Sequence, residues 1–151
     1  LLIETLDLIE EGKAPRIRQD DSAATYAPKI SKAECCIDWS MSAESVCCII
    51  RGLNPFPGAV SRLGDMRLKL WEARVASDVP KEDVQSAEPG QIVALPRSAD
   101  DGLVVKCGEG CLQITRLQPE NRKSMSAYDF TLGYPVSAGQ KFSCPEQVFE
   151  S

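Results

Sequence analysis

The sequence contains no histidine, and this absence restricts the chemistry that the chain can perform by itself. Histidine is the side chain whose ordinary pKa lies closest to neutral pH, so it often serves as the general base of an enzyme. A base here would have to be a carboxylate or a lysine whose pKa is shifted by several units through burial. The sequence also has no phosphate-binding glycine loop and no nucleophile elbow. It therefore predicts a binding or supporting module without catalytic residues.

Long apolar runs and targeting signals are also missing. No stretch approaches the roughly 18 apolar residues that a membrane-spanning helix needs. The first residues lack the basic segment and the cleavage site of a secretory signal, so we expect a cytoplasmic protein with no membrane partner. The chain does not begin with Met, and we interpret it as a piece of something longer. Its 151 residues are enough for one domain with a proper core.

The seven cysteines fit neither a disulfide framework nor a zinc site. Two adjacent pairs and three single residues make up the set: Cys35-Cys36, Cys47-Cys48, Cys107, Cys111 and Cys144. A structural zinc site normally uses paired C-x-x-C knuckles or imidazole ligands, and this sequence has neither. We therefore expect no metal, and free, mostly buried thiols in a reducing cytoplasm.

The pattern of apolar residues predicts a helix, a linker and a small β domain. Apolar residues at positions 2, 3, 6 and 9, followed by Gly12, indicate an amphipathic helix over residues 1–11. Residues 13–34 contain two prolines and little periodicity, which is typical of an extended linker. Ser40 or Ser42 begins a second helix that ends near Gly52. A short third helix is expected over residues 126–132.

About five short strands follow the NPFPG turn, at residues 59–63, 66–76, 91–95, 103–107 and 111–117. Gly64-Asp65 predicts a two-residue hairpin, and the broken alternation near Trp71 predicts a bulge. The short, regular spacing favours a mainly β fold. We predict a five- to six-stranded barrel of the oligonucleotide-binding (OB) type with accessory helices, after an N-terminal helix and an extended linker. The expected boundaries are 1–12 for the terminal helix, 13–34 for the linker and 35–151 for the OB-like domain.

The formal net charge of −5 is unevenly distributed along the chain. Acidic residues predominate in residues 1–34 and 77–101, whereas the predicted barrel segments carry a slight excess of cations. Within LQPENRKSMSAYDF, Arg122 and Lys123 stand side by side on a predicted loop tip. A dedicated duplex-binding protein has a strongly basic balance. Any contact with nucleic acid should therefore be modest and sensitive to salt.

Several motifs occur in order along nearly the whole chain: ATYAPKISKAECCIDWSMSAE (residues 24–44), RGLNPFPGA (51–59), LKLWEA (68–73), PGQIV (89–93) and LQPENRKSMSAYDF (117–130). Together they resemble the C-terminal part of bacterial methionyl-tRNA formyltransferases. LLIETLDLIEEGKAP resembles the last helix of the N-terminal domain of that enzyme family. PRIRQDDSAATYAPKISK resembles the linker that joins the two domains.

The resemblance implies a role in translation initiation. Enzymes of this family transfer a formyl group from 10-formyltetrahydrofolate to the amino group of methionyl initiator tRNA. Their catalytic residues and folate pocket lie in an N-terminal Rossmann-like domain, of which this chain retains only the final helix. The resemblance therefore implies no catalytic residue and no cofactor in this chain. It implies two partners, the methionyl initiator tRNA and the missing catalytic domain.

The resemblance also implies a set of basic residues that contact the tRNA backbone. They are Arg122 and Lys123 on the loop and Lys29 and Lys32 in the linker. Arg51, Arg62 and Lys69 are further candidates that would extend this surface. Ordinary solvated charge is the alternative for each of them, and Arg51 also favours the C-terminal dipole of its helix. The aromatic residues Trp39, Trp71 and Phe56 are predicted to pack in the core or at the hinge rather than to stack on bases.

Two other functions remain open on sequence grounds. The chain is alternatively the barrel domain of a related folate-dependent formyltransferase or hydrolase, with a structural role and no RNA contact. It is alternatively a purely structural brace for the catalytic domain, with the helix over residues 1–11 as the packing element. Burying Leu2, Leu6 and Ile9 would contribute about 1.5–3 kcal/mol each, so in this chain we predict a dimer through residues 1–11.

Overall fold

The computed structural model describes residues 2–77, 79 and 84–144. Helix α1 (Leu2–Glu10) is followed by an extended segment that contains short 3-10 turns at Asp21–Ala23 and Ala33–Cys35. The remaining elements are α2 (Ala43–Leu53), β1 (Ala59–Leu63), β2 (Met66–Val75), β3 (Ile92–Ala94), β4 (Leu103–Lys106), β5 (Cys111–Pro119), β6 (Met125–Ser126), α3 (Ala127–Gly133) and β7 (Phe142–Ser143).

The strands in the described residues form one antiparallel sheet in the order β3-β4-β5-β2-β1-β7, and β6 pairs with β5. β1 and β2 are joined at Gly64-Asp65, where Leu63 pairs with Met66. The register between β2 and β5 shifts on both sides of Glu72, and such a bulge bends a sheet. The predicted mainly β, barrel-like fold is confirmed, together with its hairpin and its bulge near Trp71.

The core lies between the inner face of this curved sheet and α2. Ser42 begins α2, because its hydroxyl accepts a hydrogen bond from the Ser45 N–H at 3.2 Å. Val46 and Ile50 of α2 are fully buried, as is Leu68 on β2, and α2 packs against both β2 and β5. The predicted second helix and one of its two proposed caps are thus confirmed.

Trp39 anchors β7 to the rest of the sheet. Its indole Nε1–H donates to the Ser61 hydroxyl at 3.0 Å, and that hydroxyl donates to the Ser143 carbonyl at 2.9 Å. The Trp39 ring also packs against Phe142, with ring centroids 5.3 Å apart. Both aromatic residues are buried. Trp39 is therefore a core residue, as predicted.

The expectation of free thiols is wrong for two cysteines, because Cys36 and Cys144 form a disulfide across 108 residues of chain. The backbone of Cys36 forms an isolated β-bridge with Val60 on β1. Strand β7, which directly precedes Cys144, pairs with the same strand. β1 therefore brings the two cysteines together.

The other five cysteines are free, and all of them except Cys48 are buried, as predicted. Burial, with a smaller contribution from the neighbouring Cys111 thiol, raises the pKa of the Cys107 thiol to about 11. That thiol therefore stays protonated at neutral pH and behaves as a small core side chain.

Helix α1 forms as predicted, but none of its described residues is buried. Leu2 and Ile3 are each 74% exposed, and Leu6 and Ile9 are 56% and 59% exposed. Across the described part of the chain, no helix combines the length and apolar character required to cross a membrane. The apolar face of α1 is thus available for packing against another surface.

Candidate nucleic-acid interface

The pairing of β1, β2 and β5 places three cations on one face of the sheet. Arg62 on β1 stands opposite Arg67 on β2, and Val60 stands opposite Lys69. Lys69 in turn stands opposite Gln118 on β5. Directly paired residues point to the same face of a sheet, and so do alternate residues of one strand. Arg62, Arg67 and Lys69 therefore form one surface, here called the cationic face.

A groove of about 440 Å³ opens on the cationic face. Its charged walls come from separate parts of the chain, because Lys32 belongs to the extended segment and Arg67 and Lys69 belong to β2. Phe56 lines it from the NPFPG turn, and residues 119–121 line it at the end of β5. The groove therefore combines cations, an aromatic ring and a polar turn.

Lys69 is held in a defined position within this groove. Its ammonium lies 5.6 Å from the centroid of the Trp71 ring, within the range of a cation–π contact. Its aliphatic stem crosses Gly58, where an added Cβ would lie 2.7 Å from the Lys69 Cε. Gly58 also has a φ of +88°, which favours glycine. A side chain at position 58 would therefore push the Lys69 side chain out of this position.

The turn after β5, residues 120–124, presents Arg122 and Lys123 to solvent. The Gln118 side chain fixes this turn, because its Oε1 accepts from the Trp71 indole at 2.9 Å and its Nε2 donates to the Arg122 carbonyl at 2.6 Å. The Arg122 N–H donates to the Pro119 carbonyl at 3.1 Å. Asn121 adopts a φ of 59°, a left-handed conformation that Asn tolerates. The turn is therefore built from main-chain and Gln118 contacts, and both cationic side chains project from it.

Two carboxylates partly neutralise the positive charge of the cationic face. Arg67 lies 3.8 Å from Glu120, and Arg62 lies 3.7 Å from Asp65. Every side chain in these two pairs is more than a third exposed. Exposed pairs of this kind contribute about 0–1 kcal/mol. The guanidinium groups can therefore exchange these carboxylates for another anion at little energetic cost.

Comparison with known proteins shows what this chain is similar to. Residues 29–135 match the family model described as "Formyl transferase, C-terminal domain". The chain belongs to that family. The methionyl-tRNA formyltransferase of Symbiobacterium thermophilum is 42% identical over 146 residues, which are 97% of this chain and 43% of that protein. The methionyl-tRNA formyltransferase of Dictyoglomus thermophilum is 40% identical over 142 residues, which are 94% of this chain and 44% of that protein.

This formyl transferase C-terminal domain thus spans less than half the length of the curated relatives it matches. The predicted resemblance is confirmed. Among solved structures, a HypX variant from Aquifex aeolicus superposes with a TM-score of 0.64 at 17% identity, over 99% of this chain and 25% of that chain. HypX in complex with tetrahydrofolic acid gives a TM-score of 0.61 at 19% identity, over 87% and 22% of the two chains. At such identities the likeness concerns the fold alone.

Within this formyl transferase C-terminal domain, the structure brings together five of the seven predicted site residues. Lys32 and Lys69 line the groove, and Arg62 lies on the cationic face. Arg122 and Lys123 directly follow Glu120 and Asn121, which line the groove. These five residues therefore lie in the groove, on the cationic face, or on the turn after β5 that borders the groove.

The other two predicted residues lie elsewhere. Arg51 is in the last turn of α2, where its guanidinium donates to the Cys48 sulfur at 3.1 Å. This position suits the alternative interpretation of Arg51, a favourable interaction with the helix dipole. Lys29 lies in the exposed extended segment, three residues before Lys32. Its part in the interface stays a prediction.

Sequence reasoning missed Arg67, Gln118 and Phe56. Arg67 was detectable, because it lies two residues before Lys69 on the same strand and must share its face. Gln118 has no local signal, since its role depends on the pairing of β2 with β5. The prediction that Phe56 packs in the core is wrong, because its side chain is 85% exposed at the groove. Its packing at the hinge stays a prediction. The half-buried Trp71, by contrast, packs under Lys69 and contacts Gln118.

Proposed function

We propose that this chain is the tRNA-binding and tRNA-positioning part of a methionyl-tRNA formyltransferase that acts in the cytoplasm during translation initiation. The whole enzyme transfers a formyl group from 10-formyltetrahydrofolate to the amino group of methionyl initiator tRNA. The observation that carries the proposal is the cationic face, where strand register gathers Arg62, Arg67 and Lys69 beside the Arg122-Lys123 turn. This concentration of positive charge occurs in a chain with a net charge of −5.

The expected contact is with phosphates rather than with base edges. Exposed Arg and Lys side chains on a sheet and a turn neutralise backbone charge, which orients a nucleic acid without reading its sequence. Each phosphate that is neutralised on duplex RNA or DNA makes the logarithm of the affinity fall by roughly 0.9 per decade of salt. With so few cations, binding by this chain alone should be weak at physiological salt.

We assign the catalytic steps to the part of the enzyme that lies outside the region matched here. The curated relatives are more than twice as long as the region matched here, and the formyl donor and the reacting groups are assigned to that additional length. The role of this chain is to hold the tRNA so that its methionyl end reaches the catalytic domain. The exposed apolar side of α1 provides a packing surface toward that domain.

A titration with methionyl initiator tRNA tests the proposal. Binding should be measurable at about 50 mM salt and fall strongly by about 200 mM, because released counterions drive the association. An uncharged polymer of similar size should not compete, whereas an anionic polymer should, because the contact is with backbone charge. If the chain shows no affinity at about 50 mM salt, or an affinity that is indifferent to salt, the assigned role is wrong.

We expect the apolar face of α1 to form a dimer when no catalytic domain covers it. Burial of Leu6 and Ile9 against a second copy would contribute about 1.5–3 kcal/mol for each side chain that is fully enclosed. Deletion of residues 1–12 should therefore convert a dimer into a monomer in sedimentation velocity, and Leu6→Glu should do the same. Glu10→Gln, which changes a polar residue of the same helix, serves as the control. An unchanged oligomeric state after the deletion would contradict this expectation.

A further inference from the structure

Phe56 has no role in a contact that involves phosphates alone. Its side chain is 85% exposed, although phenylalanine is usually among the buried residues of a domain. It lines the same groove as Lys32, Arg67 and Lys69, the cations that an anionic ligand would approach. An exposed aromatic ring at this place offers an apolar, planar surface to whatever the cations attract.

The turn that carries Phe56 is fixed to the sheet. Pro55 and Pro57 flank the residue and restrict the backbone on both sides. The Asn54 side chain donates to the Trp71 carbonyl at 3.0 Å, and the Gly58 N–H donates to the Leu53 carbonyl at 2.8 Å. The backbone on both sides of Phe56 is therefore tied to β2 and α2, so this turn loses little conformational entropy when a ligand binds.

The groove has the size and the composition of a nucleotide site. Its volume of about 440 Å³ lies within the range of roughly 300–1,000 Å³ that is typical of small-molecule pockets. Apolar surface from Phe56, Pro57 and Val60 lies in the same groove as the charges of Lys32, Arg67 and Lys69. A nucleotide has these two chemical characters, a flat base and a charged phosphate.

We propose that this groove binds one unpaired nucleotide of RNA, with its base stacked on Phe56 and its phosphate against Lys69 and Arg67. The inference rests on the proposed tRNA-binding function and adds a contact to an unstacked base. Every base has a π face, so a single aromatic platform accepts any of the four bases. Paired bases inside a duplex are covered by their neighbours, so a continuous helix cannot present a base to Phe56 in this way.

The surroundings of the groove favour a nucleotide within a strand over a free one. Arg62 lies beside the groove on the cationic face, and Arg122 and Lys123 follow the groove-lining residues of the turn after β5. A strand that crosses the groove would therefore meet further cations for its neighbouring phosphates. A free mononucleotide would have a single phosphate group, set against cations that Glu120 partly neutralises.

The test compares single-stranded with duplex RNA. The 151-residue chain is titrated with a labelled single strand of about six nucleotides and with a blunt-ended duplex, using Phe56→Ala, Phe56→Tyr and the parent chain. Loss of one stacked base should weaken single-strand binding about five- to tenfold in Phe56→Ala. Phe56→Tyr keeps the ring and should stay within about twofold. Duplex affinity should be the same in all three.

Tyr26→Ala is the matched control, because Tyr26 is a 90% exposed aromatic residue on the extended segment, outside the residues that line the groove. It should leave single-strand binding unchanged. Since Phe56 and Tyr26 are both exposed, the variants should keep the thermal unfolding midpoint of the parent. The inference is overturned if Phe56→Ala binds the single strand as the parent does, or if it loses the duplex equally. Displacement of the strand by adenosine monophosphate at an equal concentration would also overturn it, in favour of a free-nucleotide site.

The outcomes distinguish this inference from the proposed function. If Arg122→Glu/Lys123→Glu loses binding to both RNAs while Phe56→Ala keeps it, the cationic face binds RNA and the nucleotide site is wrong. If the parent chain binds neither RNA at low salt, both are wrong. If Phe56→Ala weakens binding to the single strand only, while Arg122→Glu/Lys123→Glu weakens binding to both RNAs, both are supported.

Discussion

Reversal of both charges on the turn after β5 should lower the affinity for methionyl initiator tRNA at low salt by about ten- to hundredfold. The Arg122→Glu/Lys123→Glu variant removes two cations and places two carboxylates where phosphates would lie. The loss of two phosphate contacts should also flatten the plot of log affinity against log salt by about 1.8 in slope. Fluorescence anisotropy at several salt concentrations measures both quantities.

The fold should tolerate this double reversal, because the turn is held through the Arg122 main chain and not through either cationic side chain. A matched control is Arg74→Glu/Arg97→Glu, which changes the net charge by the same amount at two exposed positions outside the groove. It should lower the affinity far less than the turn variant. An equal loss in both double variants would mean that net charge, rather than the assigned surface, governs RNA binding.

Replacement of Gly108 by alanine should cost about 3 kcal/mol or more in the free energy of unfolding. The Gly108 N–H donates to the carbonyls of Trp39 and Met41, each at 2.9 Å. An added Cβ would clash with the Ser40 carbonyl oxygen, a backbone atom that cannot rotate away. The turn between β4 and β5 would have to move off the segment that leads into α2. Urea denaturation followed by tryptophan fluorescence measures the loss.

Gly52→Ala is the control for that substitution. Gly52 lies in the last turn of α2, and a Cβ there meets no heavy atom within 4 Å outside its local surroundings. Alanine should therefore stabilise the domain by about 0.5–1 kcal/mol, because glycine loses more backbone freedom in a helix. If the two variants changed stability by the same amount, the close approach of Gly108 to Ser40 would not be a determinant of the fold.

Features with local signals in the sequence were predicted well. Ser42 begins α2, Gly64-Asp65 forms the hairpin, and the disturbed alternation at Trp71 marks the bulge. Each depends on a few consecutive residues, whose hydrogen bonds and side-chain directions are set by the chain itself. The two-residue strand β6 was missed, because such a short strand exists only through its pairing with β5.

Features that depend on distant pairing were not predictable. The Cys36–Cys144 disulfide joins two residues that are 108 positions apart in the sequence. Both come close only because their segments pair with β1, and no spacing in the sequence indicates that pairing. Phe56 presents a similar difficulty, because the NPFPG motif predicts a rigid turn without showing which of its residues faces solvent. Lys69 and Arg62 were candidates from the sequence, whereas their common face with Arg67 follows from the observed register.

The most direct test of the central claim is an NMR chemical-shift map of the chain upon addition of methionyl initiator tRNA at low salt. If RNA binds as proposed, the largest changes should occur at Arg62, Arg67 and Lys69 and at residues 120–123, and they should fade as salt rises. Residues on the outer surface of α2, including Cys48, should change little. Changes that instead cluster on α2 or α3 and spare the cationic face would contradict the account.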